Sequence, residues 1–349
     1  MGSPSKVYSK YSIIVPSYNR QEEIEELLES FLALEFPPER LELIIADDGS
    51  VDKTKSVVKE YQRKLSFEVR FYSQKNQGPG TARNMGAKKA KGDFFIFIDS
   101  DCMVPSDWLK NIDAGLMRQN ADAFGGRDSF HEDFPVLLKA INYSMTSFLT
   151  TGGLRGSRGK KLAKFYPRSF NMGLSKQTFH KIGGFGSLRH GQDIEFSHRL
   201  IKSGAKIVYI DNAIVFHKRR TSIKKFFKQV FNWGVARINL YKIDQTMLEP
   251  LHVIPAVVTL FFLFLLFSSI LTSNVWHIAK WLFLIGIIVI LFSTLQAMIR
   301  YKSWHMIYLI PIIIPIQIFG YGLGFISAFF YRVVLNREEL VGFKRKYYK

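Results

Sequence analysis

One cysteine, Cys102, stands in 349 residues, so no internal disulfide framework can exist and a small stapled scaffold is excluded. That usage suits a reducing compartment, and the thiol reads as a small buried residue. Acid is scarce as well: 29 Asp and Glu against 48 Lys and Arg leave a formal charge of +19. Residues 153 to 181 hold no acid but eight bases: Arg155, Arg158, Lys160, Lys161, Lys164, Arg168, Lys176 and Lys181. Residues 217 to 228 again lack acid and hold six more bases. Such a balance suits a phosphorylated ligand, a polyanion or an anionic membrane surface. Zinc-finger spacing and nucleic-acid reading motifs are missing, and much of the charge flanks apolar segments, so nucleic acid is not an expected partner. A secretory signal is also missing at the start. MGSPSKVYSK is polar, and the first apolar run, YSIIVPSYN, is short and contains proline.

Long apolar runs are absent up to about Lys242 and frequent afterwards. Leu251 to Thr272 has no charged residue, Val275 to Ile299 has one, Lys280, and Met306 to Tyr331 has none. A spanning helix needs roughly 20 mostly apolar residues, and each run is long enough. The third run holds Pro311, Pro315, Gly320, Gly322 and Gly324, so it either spans with a kink or bends back as a re-entrant pair. Arg300 and Lys302 place the second loop in the cytoplasm. The basic tail GFKRKYYK then lies outside if the third run spans and inside if it is re-entrant. Ahead of these runs, Ile223, Phe226, Phe227, Val230, Phe231 and Ile238 fall at helical spacing, with Lys224, Lys225 and Lys228 off the stripe. This predicts an amphipathic helix that lies in the headgroup layer or, alternatively, packs on a core with its basic face solvated. The expected division is a tail over 1–10, an α/β domain over 11–220, the interfacial helix over 221–248, a membrane region over 249–333 and a basic tail over 334–349.

In the first half, apolar runs alternate with polar helical stretches, which predicts a parallel sheet flanked by helices. The runs are YSIIVPSYN, LELIIADDGS, FEVRFYSQ and FFIFIDSD, with the glycine-rich NQGPGTARNMGAKKAKG before the last. Pro16 is expected to end the first run's hydrogen bonding. Ligands of such sheets bind beyond the carboxyl ends of the strands. Three strand ends carry polar groups there: Tyr18 with Asn19, Asp47 with Asp48, and Asp99 with Asp101. Two carboxylates separated by Ser100 at the end of a buried strand are costly unless a cation or a proton joins them. Asp-x-Asp supplies hard oxygen to Mg²⁺ or Mn²⁺, which keeps positions open for phosphate oxygens. A metal on a diphosphate neutralises the charge that grows as it leaves.

The series IIVPSYNR, ADDGSVDKT, NQGPGTARNMGAKKAKGDFFIFIDSD and GQDIEFSHRL resembles the inverting, GT-A fold glycosyltransferases of family 2, over roughly residues 10 to 240. The resemblance implies a GT-A, Rossmann-like nucleotide-diphospho-sugar transferase domain followed by an α-helical membrane region. It implies that Pro16, Tyr18 and Asn19 frame the nucleoside and that Asp48, together with Asp47, bonds the base or ribose, the alternative being a turn that caps the next helix. Arg83 and Asn84 would meet the nucleotide or diphosphate. Asp99 would contact the ribose or the metal, Ser100 would lie in the same donor site, and Asp101 would ligate the metal. Asp193 sits where the family places its general base. The family more often has Glu before it, and here Gln192 removes one charge. Glu195 and Arg199, four residues apart, are expected to pair. His217 is either the third metal ligand or structural. Asn171 and Met172 would border the donor sugar and acceptor. Basic residues 155 to 168 read either as a loop that closes over an anionic group or as a solvated one.

QVFNW resembles the Q-x-x-R-W motif of processive synthases, but Asn232 stands where they have arginine. The expectation is a membrane-anchored enzyme on the cytoplasmic face. It would move a sugar from a nucleotide donor, with UDP first in expectation, to a lipid-linked or glycan acceptor. A polyprenyl-phosphate glycosyltransferase and a non-catalytic scaffold that keeps the fold are the rivals.

Overall fold

Strands β1 (Tyr11–Ser17) and β2 (Leu41–Asp47) are buried at every position, as continuous apolar runs between two helical layers must be. The computed structural model describes residues 6–129, 134–147, 150, 165–217, 222–271 and 273–342. After β1 and β2 come β3 (Glu68–Ser73), β4 (Phe94–Phe97), β5 (Cys102–Met103), β6 (Ala123–Ser129), β7 (Met172–Ser175) and β8 (Ile207–His217). The helices between them are α1 (Gln21–Leu32), α2 (Thr54–Lys64), α3 (Pro79–Lys89), α4 (Trp108–Gln119), α5 (Val136–Thr146), α6 (Lys176–Ile182) and α7 (Gln192–Lys202). In α1 the buried residues are Ile24, Leu27, Leu28 and Phe31, spaced at one helical face, and Glu22 and Glu23 complement the helix dipole at its first turn.

The strands form one sheet in the order β3-β2-β1-β4-β7-β6-β8-β5. Pairs β1–β2, β1–β4, β2–β3 and β6–β8 are parallel, but β7 runs antiparallel to both its neighbours, and β5 is antiparallel to β8. The wholly parallel sheet expected from the alternation is therefore corrected to a mixed one. The alternation holds only through β4, and β7 enters against β4 after a long excursion. Pro16 does not end β1, which continues in register to Ser17 opposite Asp47.

The chain divides into two compact units, and the division is not the contiguous 11–220 domain of the sequence reading. One unit takes Met1–His131 and Tyr166–Lys218, and the other takes Glu132–Phe165 and Arg219–Arg345. Helix α5 thus belongs with the C-terminal helices. Asn142 Nδ2 donates to Tyr301 Oη at 2.8 Å, and Tyr143 Oη donates to Gln296 Oε1 at 2.6 Å.

The second unit continues with α8 (Ile223–Ile243), α9 (Pro250–Leu271), α10 (Ser273–Tyr301) and α11 (Met306–Phe329), closed by a π-helical turn over Phe330–Val334. Among the described residues, three segments are long and apolar enough to cross a membrane: Pro250–Ser268, Ala279–Tyr301 and Met306–Val334. The third is one unbroken helix through Pro311 and Pro315, not a re-entrant pair. The stripe of α8 is as expected, and α11 covers part of it. Phe226, Val230 and Ile238 are fully buried, and α8 packs against α11 through glycines. A Cβ on Gly234 would lie 2.1 Å from Tyr321 O, and one on Gly324 would lie 2.1 Å from Phe231 O. Backbones this close exclude any larger residue. Lys224, Lys225 and Lys228 remain exposed.

Candidate active site

Neighbouring strands β2, β1 and β4 bring their carboxyl ends together, and the polar residues expected to converge there do so. Asp47 and Asp48 are both almost fully buried. Asp47 Oδ2 accepts from Gly49 N at 3.1 Å, Ser50 N at 3.0 Å and Ser73 Oγ at 2.7 Å. Among the described residues its Oδ1 has no partner, and neither has Ser17 Oγ on the paired strand. Asp48 is occupied differently from the expectation. Its oxygens accept from Gln74 Nε2 at 2.8 Å, Gln77 N at 3.0 Å and Gly78 N at 2.7 Å, so they fasten the glycine-rich loop. Gly78 adopts φ of 101° at the head of α3, a conformation that glycine takes without strain. Asn19, at φ of 49°, ties the two strand ends: its N–H donates to Ser50 Oγ at 2.8 Å, and its Oδ1 accepts from Val51 N at 2.9 Å. Tyr18 is half-buried beside it.

Across β1, the loop after β4 presents Asp99, Ser100 and Asp101. Arg83 on α3 donates from Nη2 to Asp99 Oδ1 at 2.5 Å, and its guanidinium carbon stands 5.3 Å from the centre of the Phe185 ring. Arg83 is nine-tenths buried, and its Nε has no partner among the described residues. Asp101 and Asp99 are partly exposed. No cluster of three or more His, Cys, Asp or Glu able to hold a metal occurs among the described residues. Two carboxylates nevertheless suit Mg²⁺ or Mn²⁺, which use one or two protein oxygens and complete their shell with water and substrate phosphate. The register sets His217 opposite Cys102, next to Asp101, while its side chain lies outside the described residues. Burial, then the charges of Asp101 and Asp99, push the Cys102 thiol well above its ordinary range, which keeps it protonated and unreactive.

Asp193 lies in the first turn of α7, about a quarter exposed, and accepts from Arg168 Nη1 at 3.2 Å. Composition alone marked Arg168 only as the end of a basic stretch, so this pairing was not foreseen. Residues 155–164 of that stretch lie outside the described residues. Glu195 and Arg199 pair as expected, at 2.5 and 2.9 Å, and Arg199 also donates to Ile182 O and Gly184 O. Three other expected ligand contacts are otherwise engaged. Asn84 clamps the backbone of Phe185 from both sides, at 2.9 and 2.7 Å. Gln192 donates to Gly186 O and packs on Gly80, where a Cβ would fall 2.2 Å from its Nε2. Asn171 is fully buried, accepting from Trp108 Nε1 at 3.2 Å and donating to Ala213 O at 2.7 Å and Arg127 O at 3.1 Å. It bridges β6 and β8 at the irregularity beside Gly126. These three hold the walls of the site by hydrogen bonds to the chain itself.

Comparison with known proteins bears on the fold and the family. A mannosyltransferase from Pyrobaculum calidifontis, solved with GDP-Man and Mn²⁺, superposes with a TM-score of 0.62 over 90% of each chain at 16% identity, a likeness of fold. The poly(ribitol-phosphate) β-N-acetylglucosaminyltransferase TarS of Staphylococcus aureus is 37% identical over 113 residues, 32% of this chain and only 20% of that enzyme. A dolichyl N-acetyl-α-D-glucosaminyl phosphate 3-β-D-2,3-diacetamido-2,3-dideoxy-β-D-glucuronosyltransferase of Methanococcus voltae is 30% identical over 304 residues, 84% of this chain and 88% of that enzyme. The sequence model described as glycosyl transferase family 2 matches residues 12–187. With the mixed α/β sheet and its acidic strand ends in place, the chain belongs to that family.

Proposed function

We propose that this glycosyltransferase is a membrane-bound, inverting enzyme that moves a sugar from a nucleotide-diphospho-sugar to a lipid-linked or glycan acceptor. The observation that carries the reading is the meeting of three strand ends, where buried acceptors without partners among the described residues lie beside a buried arginine and two further carboxylates. Asp47 Oδ1 and Ser17 Oγ offer hydrogen-bonding atoms to a nucleobase or ribose, with Pro16, Tyr18 and Asn19 framing it. Asp48 acts through the glycine-rich loop it holds, and Arg83 offers its guanidinium to the diphosphate. Asp101 and Asp99, with His217 at the neighbouring register position, would hold Mg²⁺ or Mn²⁺, which when bound offsets the charge of the leaving diphosphate. Asp193 takes the proton of the acceptor hydroxyl. The acceptor oxygen bonds to the anomeric carbon as the bond to the diphosphate oxygen breaks, so the configuration inverts. Asn84, Gln192 and Asn171 support the walls.

A lipid-linked acceptor is favoured by the three apolar helices and by the relative from Methanococcus voltae, whose name specifies a dolichyl-linked sugar. Arg300 lies in the last turn of α10 and Lys302 directly after it, and α10 returns to the side from which α9 entered. By the positive-inside rule that side, with the catalytic unit, is cytoplasmic. The testing experiment is a thermal-shift panel on detergent-purified protein with UDP, GDP, CDP and dTDP, each with and without Mn²⁺, alongside Asp101→Ala. A ligand at about 100 times its dissociation constant stabilises by roughly 2.7 kcal/mol. Stabilisation by one nucleotide, dependent on Mn²⁺ and lost in the variant, is expected, with UDP the leading candidate. No response to any nucleotide would support a scaffold instead.

A further inference from the structure

The segment that carries Arg168 is fastened on both sides. Toward α7, Ser197 Oγ donates to Pro167 O at 2.5 Å, and the Tyr166 ring stacks on His198 with centroids 6.4 Å apart. Toward the Asp99–Asp101 loop, the Cys102 thiol, next after Asp101, reaches Phe170 O at 3.8 Å. Between these fastenings Asn171 N closes a turn onto Arg168 O at 2.9 Å, and Asn171 itself is locked in the core. Arg168 therefore stands on a braced bridge between the helix of Asp193 and the loop of the two strand-end carboxylates. From there its Nη1 meets Asp193 Oδ2 at 3.2 Å. Nothing in the reaction described above uses this arginine.

Resting on the reading of Asp193 as general base, we propose that Arg168 is its positioning residue, holding the carboxylate aimed at the acceptor hydroxyl. An aspartate in the first turn of a helix can swing among rotamers, and a base works only within hydrogen-bond reach of its proton. A misplacement of about 1 Å can cost roughly a hundredfold in rate. A surface ion pair between two loose side chains would not prevent this, because ordering both consumes most of its energy. Here the backbone under the arginine is already ordered by folding. A guanidinium fixes orientation through its planar fork, which an ammonium does not.

The test uses full-length protein in detergent with Arg168→Gln, Arg168→Lys, Asp193→Asn and Arg168→Gln combined with Asp193→Asn. Turnover is measured with UDP-N-acetylglucosamine, UDP-glucuronic acid and GDP-mannose, each against dolichyl N-acetylglucosaminyl phosphate. Nucleotide-induced thermal shifts are recorded on the same samples. Arg168→Gln should lower kcat by about tenfold to a hundredfold while donor KM and the thermal shift stay unchanged, and Arg168→Lys should recover part of the loss. In the Asp193→Asn background, Arg168→Gln should cost nothing further, because residues acting as a unit are not additive. Wild-type kcat in Arg168→Gln, with Asp193→Asn inactive, would overturn the role of Arg168 alone. An equal loss from Arg168→Gln in both backgrounds would make it a structural residue. Near-normal turnover in Asp193→Asn would remove the base itself, and this proposal with it.

Discussion

Arg83 and Asp99 form an ion pair between the helix after the glycine-rich loop and the end of β4, with side chains 7% and 29% exposed. The pair links the loop proposed to meet the diphosphate to the carboxylates proposed to hold the metal. Arg83→Met leaves Asp99 without this partner and removes a cation from the donor site. Charge-assisted hydrogen bonds contribute about 1.5–3 kcal/mol, so affinity for the stabilising nucleoside diphosphate should fall about tenfold to a hundredfold. Isothermal titration of variant and wild type reads this directly, and equal affinities would place Arg83 outside the donor site.

Asp193→Asn keeps the shape of the side chain and removes its basicity. Transfer to a sugar hydroxyl should fall about 100- to 10,000-fold while nucleotide-induced thermal shifts stay at wild-type size. A polyprenyl-phosphate acceptor is already deprotonated, so an enzyme of that type would keep most of its turnover.

Away from the site, Glu42 is completely buried in β2. It accepts from Ser12 Oγ and Lys91 N, each at 2.6 Å, and pairs with Arg70, whose side chain is 16% exposed. Arg70→Met strands a buried carboxylate and should cost about 3 kcal/mol or more. Adding Glu42→Met should restore much of the loss, because a buried ion pair replaced by apolar groups is often neutral. Melting temperatures of the single and double variants decide the matter.

The approach of α8 to α11 predicts a position-specific effect. Gly324→Ala drives a methyl into Phe231 O, whereas a Cβ on Gly286 of α10 meets nothing within 4 Å among the described residues. The first variant should lose about 1–3 kcal/mol and yield less folded protein on detergent size-exclusion chromatography, while Gly286→Ala should elute as wild type does.

Asp122 supplies a pH dependence. Burial alone would raise its pKa, but the hydrogen bonds from the Lys6 ammonium and the Lys206 N–H, with the charge of Lys6, outweigh burial and hold it below the usual aspartate range. A depressed folded value adds stability that is complete above the unfolded value of about 3.9 and fades as pH falls through the folded value. Asp122→Asn should therefore be less stable at pH 7 and approach the wild type on acidification below about pH 4. A constant difference in melting temperature from pH 7 to pH 3 would contradict this.

The strand-end carboxylates were legible in the sequence because each sits directly after its own apolar run, a local relation. Glu195 and Arg199 were legible because one helical turn sets their distance. Asn84 was not: its partner, the Phe185 backbone, lies 101 residues away, and no pattern encodes that pairing. The bonds of Asn171 depend on a shift between β6 and β8 that exists only once the sheet has formed. The antiparallel entry of β7 was hidden likewise, since four residues, MGLS, show no direction. The stripe on α8 announced a buried face but not that α11 would cover it, because the spacing of apolar residues records burial and not the partner.

The hold of Asp48 on Gln77 N and Gly78 N has a thermodynamic consequence. The cradle before α3 takes its shape when the domain folds, and its backbone entropy is surrendered then and not at each encounter with a donor. Binding to such a preorganised loop carries little conformational cost. A donor would therefore dock onto a finished surface, and the heat of association should report contacts made there, with little contribution from a segment ordering around it.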